Sequence, residues 1–255
     1  AQPAGEAPAF PGRAHTIQLG GFEVTTLLGG GGMSDNLIET FGLNAEPAEF
    51  ESLSAENFIP ADRSGGSYTM TLVRTPDALV LFDAGMVPAN NAASLAQAGV
   101  KPEDVTHVLI THGHPDHLWG LLDEFDEPVF AQAEYMIGQA EFDYWMDPAT
   151  VDSIGEERAS FAIGASRRLE VVADSIRKLA DGEEALPGIT ARLTPGHTPG
   201  HLAYEIATPE GALMVVGDAI GNHHIAFERP DWPSPSDQDP PLAAATRIAL
   251  LERLA

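Results

Sequence analysis

Val108-Leu109-Ile110-Thr111-His112-Gly113-His114-Pro115-Asp116-His117 sets three histidines and an aspartate within six positions, directly behind a β-rich apolar run. Thr106 to Ile110 reads as a buried strand. A chain leaving such a strand emerges on a loop at the sheet edge, where functional groups gather. Buried imidazoles cost desolvation energy unless they are paired or bound to a metal, and neighbouring ones disfavour each other's protonation. A solvated polar turn does not account for this density of ligand-type side chains; a metal site does. His112, His114, Asp116 and His117 are therefore the first candidate ligands.

Two distant stretches extend the pattern. Thr194-Pro195-Gly196-His197-Thr198-Pro199-Gly200-His201 follows a strand ending at Leu193. Its Pro-Gly pairs make tight turns, and Gly196 lets the backbone bend so that His197 points back towards a metal. Val215-Val216-Gly217-Asp218 then ends another strand on an acid. Alone, Gly-Asp is a common turn; the order and strand-end placement make His197 and Asp218 ligand candidates.

The 38 acidic and 13 basic residues leave a formal charge of −25 across 255 residues. Such a surface repels nucleic-acid phosphates and anionic lipids, which excludes recognition of either through a basic patch. No run of 18 apolar residues occurs, so no membrane-spanning helix is expected. Cysteine is absent, which removes disulfides, thiolate ligands and a cysteine nucleophile. Any zinc site has to use imidazole and carboxylate. Residues 1–13 read as a flexible arm, and the start Ala1-Gln2-Pro3-Ala4-Gly5 resembles an end left after signal-peptide removal. A periplasmic or secreted location is expected from it, with a trimmed chain end as the alternative.

His15 to Leu19 and Phe22 to Leu28 read as strands, and Gly29-Gly30-Gly31-Gly32 as a flexible lid or turn. Ala45 to Asn57 reads as a helix, and Ser67 to Arg74 with Ala78 to Asp83 as paired strands. Asn90 to Ala98, Gln132 to Met146 and Gly155 to Leu179 are read as helices. Ile189 to Leu193, Ala203 to Ala207 and Ala212 to Val216 return to strand. The last helix, Pro241 to Leu254, carries Leu242, Ala245, Ile248, Leu251 and Leu254 on one side. Two strand-rich halves suit a sandwich of two sheets covered by helices.

The chain resembles the metallo-β-lactamase superfamily, with its Thr-His-x-His-x-Asp-His run followed by a distant His and a distant Asp. Over nearly its whole length it is similar to the branch of methyl parathion hydrolases and quorum-quenching lactonases. Phe22-Glu23-Val24-Thr25, Leu81-Phe82-Asp83-Ala84-Gly85, Gly196 to His201, Gly217-Asp218 and Asp237-Gln238-Asp239 fall in that order. The resemblance implies an α/β (α+β) fold, a four-layer αββα sandwich of two mixed sheets flanked by helices, over residues 14–255 as one domain. It also implies two divalent metal ions, most simply Zn2+. His112, His114 and His197 would hold the first, Asp116 and His117 the second, and Asp218 would bridge them. Asp83 matches an acid that supports the site from behind the ligands, and His201 steadies its turn. The family supplies one further His from a strand beyond the closing helix. This chain is therefore expected to lack its last strand or strands, with His223 and His224 as substitute ligands or pocket residues.

Two such cations lower the pKa of a shared water and generate hydroxide, with Asp116 as a catalytic proton shuttle to the leaving group. No Gly-x-Ser-x-Gly elbow is present, so attack by water is preferred to a covalent nucleophile. The expected activity is hydrolysis of a lactone, ester or phosphotriester. The alternatives are a β-lactamase-type amide hydrolase and a non-catalytic metal-binding member of the fold. Trp145 and Phe58, with Trp119 and Phe227, are candidate aromatic walls of a pocket for a small-molecule substrate. A homodimer is expected by analogy of fold alone.

Overall fold

Seven strands, adjacent in chain order, make the first sheet: β1 (Arg13–Leu19), β2 (Phe22–Asp35), β3 (Arg63–Arg74), β4 (Leu79–Phe82), β5 (His107–Ile110), β6 (Glu134–Gly138) and β7 (Arg177–Leu179). β1 to β4 pair antiparallel and β4 to β7 parallel. The second sheet holds β8 (Glu184–Leu186), β9 (Ile189–Leu193), β10 (Leu202–Thr208) and β11 (Gly211–Val215). The helices are α1 (Leu37–Phe41), α2 (Pro47–Glu56), α3 (Pro88–Gln97), α4 (Pro115–Leu118), α5 (Gln139–Met146), α6 (Thr150–Ser153), α7 (Ala159–Val172), α8 (Ile225–Glu228) and α9 (Pro240–Leu254). This computed structural model describes residues 10–255, so most of the expected N-terminal arm lies outside the described residues. Among the described residues no helix is long and apolar enough to cross a membrane.

The period-2 geometry of a strand sends successive side chains to opposite faces. A strand buried on both faces therefore reads as a continuous apolar run. Leu79, Leu81, Val108 and Ile110 face one way and meet Leu95 of α3, Phe142 and Trp145 of α5, and Ala165 and Leu169 of α7. Val80, Phe82 and Leu109 face the other way and pack on Ile189, Ala191, Leu202, Tyr204 and Ile206 of the second sheet. α9 approaches the outer side of that sheet, where Arg253 bonds Glu205 of β10 at 2.5 Å. The layers are those expected, with one difference: the first sheet is mixed, the second purely antiparallel.

Four local expectations are corrected. Gly29 to Gly32 form no lid; they lie within β2, where Gly31 and Gly32 pair with Ser67 and Gly66 of β3. A Cβ on Gly31 would stand 2.5 Å from the Gly66 carbonyl oxygen, so two glycine-rich segments approach more closely than other side chains permit. Gln132 to Met146 is not one helix: Tyr135, Met136 and Ile137 are fully sheeted in β6, and the helix starts at Gln139. Gly155 to Leu179 likewise ends in strand β7 after α7 stops at Val172. On α9 the buried positions are Ala243, Arg247 and Leu250, while Leu242, Ile248 and Leu254 are exposed.

Candidate metal centre

Strand direction gathers the candidate ligands. β4 and β5 are parallel neighbours, so Asp83 and the His112 to His117 loop leave the first sheet at one edge. β9 and β11 both run antiparallel to β10 and so end on a common side, delivering His197 and Asp218. Pro115 opens α4, where its fixed φ and missing N–H suit a first helical turn. That turn brings His117 back beneath His114, whose carbonyl accepts from His117 N–H at 3.1 Å. Gly196 holds φ at +125°, as its turn requires. A side chain at Gly113 would collide with the Trp145 indole.

His112 sits at the centre, its ring 4.1 Å from His117, 4.7 Å from both His114 and His197, and 4.9 Å from His201. His114 Nδ1 and His197 Nε2 face each other at 2.9 Å. Asp218 turns Oδ1 to His117 Nε2 at 3.3 Å and Oδ2 to His197 Nε2 at 3.4 Å. Asp116 Oδ2 lies 3.4 Å from His117 Nε2. Two groups with ligand atoms within 4.8 Å of one another result: His112, His114 and His197, and His112, His117 and Asp218. Asp218 thus touches residues of both groups, as a bridging carboxylate would.

The donor set fits divalent metal. His112 Nε2 is buried and has no hydrogen-bond partner, a costly state for a ring nitrogen. Its Nδ1 lies 3.0 Å from Thr111 Oγ1, which leaves Nε2 aimed into the cluster. Three carboxylates, Asp83, Asp116 and Asp218, stand around His117 alone. Burial, with the neighbouring imidazoles second, holds His112 well below the usual histidine range, and burial with His197 does the same for His114. Neutral imidazole is the form that binds metal. Burial opposes a charge on His117 too, but Asp218 and Asp83 outweigh it and raise its pKa well above the ordinary value. Burial would also raise Asp218, yet the imidazoles, His117 foremost, drive it far below the carboxylate range.

A shell of hydrogen bonds orients these rings. Asp83 Oδ2 meets His117 Nδ1 at 2.8 Å, and Oδ1 accepts from Thr111 N–H at 2.7 Å. Asp237 Oδ1 meets His197 Nδ1 at 3.1 Å, and Arg247, buried on α9, reaches Asp237 Oδ2 at 3.4 Å. His201 belongs to neither ligand group. Its Nδ1 pairs with Thr194 Oγ1 and its Nε2 accepts from Asp218 N–H at 3.1 Å, so it secures the Asp218 turn. Glu141 is fully buried beside the same loops; Asp237, Arg247 and Glu141 escaped the sequence reading as site residues. The one sequence signal for Glu141 is an acid on the inward face of a helix, four residues before a tryptophan.

The cleft above the cluster has two lobes that share Tyr68, Asp116, Asp218 and Ser236. One, of about 350 Å³, is apolar, with Met86, Trp119 and Phe161 around His114 and His197. The other, of about 380 Å³, is mixed, with Ser64, Ser67, Asn222 and His223 beside Phe41, Ile225 and Trp232. Trp145 is not a wall of either: it is 1% exposed, packs under His114 and donates to Glu141. Phe58 is 96% exposed at the end of α2 and lines neither lobe, and Phe227 is exposed on α8. Trp119 does line the apolar lobe. His223 lines the mixed lobe, while His224 lies with its ring 4.0 Å from that of His223 and precedes α8; neither joins a ligand group among the described residues.

Residues 63–254 match the metallo-beta-lactamase superfamily, more than half of the chain. Metallo-beta-lactamase domain-containing protein 1 of Xenopus laevis is 28% identical over 190 residues, 72% of this chain and 66% of that protein. An N-acyl homoserine lactonase of Bacillus cereus is 27% identical over 48% of this chain and 41% of its own length. This chain thus spans less than two thirds of the length of these curated relatives. Among solved structures, AidC, a dizinc quorum-quenching lactonase in complex with the product N-hexnoyl-L-homoserine, superposes with a TM-score of 0.88 at 27% identity, covering 96% of this chain and 88% of that one. With its paired sheets, flanking helices and histidine-rich edge, the chain belongs to the metallo-beta-lactamase superfamily.

Proposed function

We propose that this chain is a dizinc hydrolase that opens lactones, and in the same manner esters or phosphotriesters, bearing an apolar substituent. The observation that carries the reading is the convergence of four imidazoles, His112, His114, His117 and His197, with the part-exposed carboxylates of Asp116 and Asp218, below a cleft with an apolar and a mixed lobe. The likeness to a dizinc lactonase supports the choice of metal and substrate class. His112, His114 and His197 would hold one zinc, Asp116 and His117 the other, with Asp218 between them. When bound, the metals supply Lewis acidity towards a carbonyl or phosphoryl oxygen and lower the pKa of water.

The protein side of the reaction follows from the geometry. Asp116 borders both lobes, placed to receive a proton and pass it to the departing alkoxide, the leaving group of a lactone or ester. Met86, Trp119 and Phe161 bury the apolar part of the substrate and exclude water around the scissile bond. Ser64, Ser67 and Asn222 in the mixed lobe supply hydrogen bonds for a polar head.

The test is a panel assayed with zinc-loaded protein: an N-acyl homoserine lactone, an aryl ester, a paraoxon-like phosphotriester and a β-lactam. Turnover of the lactone above the rest supports the reading, and turnover of the β-lactam alone overturns it.

A further inference from the structure

Glu141 lies in the first turn of α5 with its carboxylate wholly buried. Oε1 accepts from Gly113 N–H at 2.8 Å and from Trp145 Nε1–H at 2.6 Å. Oε2 accepts from the Thr198 hydroxyl at 2.7 Å and from Gly200 N–H at 3.0 Å. Gly113 stands between His112 and His114, Thr198 directly follows His197, and Gly200 directly precedes His201. One carboxylate therefore ties together the two loops that carry the first group of imidazoles, from a helix that belongs to neither. Burial pushes its pKa up, and the four donors restrain that rise.

We propose that Glu141 is a positioning residue of the metal centre: by accepting from both loops at once, it sets the distance between the His112–His114 pair and His197, and so sets the affinity for the cation. The inference rests on the metal-binding reading above. An ionised carboxylate has about four acceptor sites, and four neutral donors match them. An amide in its place keeps an acceptor at one end and turns an N–H2 group to the other loop. Thr198 can rotate its hydroxyl to accept from that group, but the Gly200 N–H cannot. The His197 loop then loses an anchor beside a ligand. Hydrogen-bonded partners behind metal ligands commonly change metal affinity by roughly 10–100-fold when altered.

The experiment is a titration of metal-free protein with Zn2+ alone in competition with a chromophoric chelator, for wild type, Glu141→Gln and Thr198→Val. The melting temperature of each metal-free form is measured alongside. The expected result is a loss of zinc affinity of roughly 10–100-fold in Glu141→Gln and a smaller loss in Thr198→Val. If both variants melt lower without metal but bind zinc as tightly as wild type, the clamp serves stability only and the proposal is overturned. Should Glu141→Gln fail to fold, Thr198→Val decides alone, and unchanged affinity there also overturns it. If wild type itself binds no zinc, the metal-binding reading fails and this inference with it, an outcome distinct from loss in the variants only.

Discussion

Asp83 holds φ at +65°, a left-handed conformation that Asp and Asn adopt more readily than other residues with a side chain. Asp83→Asn therefore leaves the backbone in place and changes only what the side chain offers to His117 Nδ1 and Thr111. The expected outcome is an unchanged fold with zinc affinity lowered by roughly 10–100-fold. Elemental analysis after dialysis would show the zinc content falling below that of the wild type, and retention of the wild-type content would remove Asp83 from its orienting role. At Gly113 the prediction is steric. Gly113→Ala pushes a methyl group into the Trp145 indole, at a cost of roughly 1–3 kcal/mol, read as a lower melting temperature of the metal-free protein. The ligand loop was legible because its histidines share one short segment with a fixed order. Glu141 and Asp237 were not, because the ligand loops they hold lie 28 to 59 residues away from Glu141 and 40 from Asp237. Only the fold makes them neighbours.

At the scale of elements, α9 and β10 meet through charge. Glu205 accepts from Arg192 on β9 at 2.8 Å and from Arg253 on α9 at 2.5 Å. Burial alone would raise the Glu205 pKa; the two guanidinium groups overcome it and lower it. A depressed folded-state pKa contributes stability that is present above the unfolded value, near 4.3, and is lost as pH falls through the folded one. Glu205→Gln should therefore cost roughly 0.5–1 kcal/mol at pH 7, with the gap to wild type closing in melts near pH 3. A gap that stayed constant with pH would show that packing, not charge, joins α9 to the sheet. Apolar periodicity marks α9 as a helix but points to the wrong face, because Leu242, Ile248 and Leu254 outweigh Ala243 and Arg247 in hydrophobicity. Arg247 is buried for its bonds to Pro230, Ala219 and Trp232 carbonyls and to Asp237, which periodicity of apolar residues does not register. The β6 sequence resembles a helix for a related reason: both its faces are buried, so it lacks the alternation that marks a strand.

Across the whole molecule, the two-sheet sandwich was legible because strand-rich halves flank a helical middle, and one buried sheet face needs a partner layer. The formal charge of −25 adds a consequence that no single residue carries. Self-repulsion among so many carboxylates opposes compaction, and Asp83, Asp116 and Asp218 concentrate it at the imidazole cluster. Cations bound there should stabilise the fold by mass action. With free zinc about a thousandfold above its Kd the gain is about 4 kcal/mol, roughly 10 °C in melting temperature for a chain of this size. Removing metal with a chelator should lower the melting temperature by about that amount, and returning Zn2+ should restore it. Two controls separate site binding from general screening. Sodium chloride at raised ionic strength weakens repulsion between exposed charges everywhere, so it should lift metal-free and zinc-loaded protein alike. Mg2+ prefers oxygen ligands in a near-octahedral arrangement and suits a floor of imidazoles poorly, so it should restore little. Full recovery with sodium chloride or Mg2+ in place of zinc would show that the stabilising cation does not sit on His112, His114 and His197.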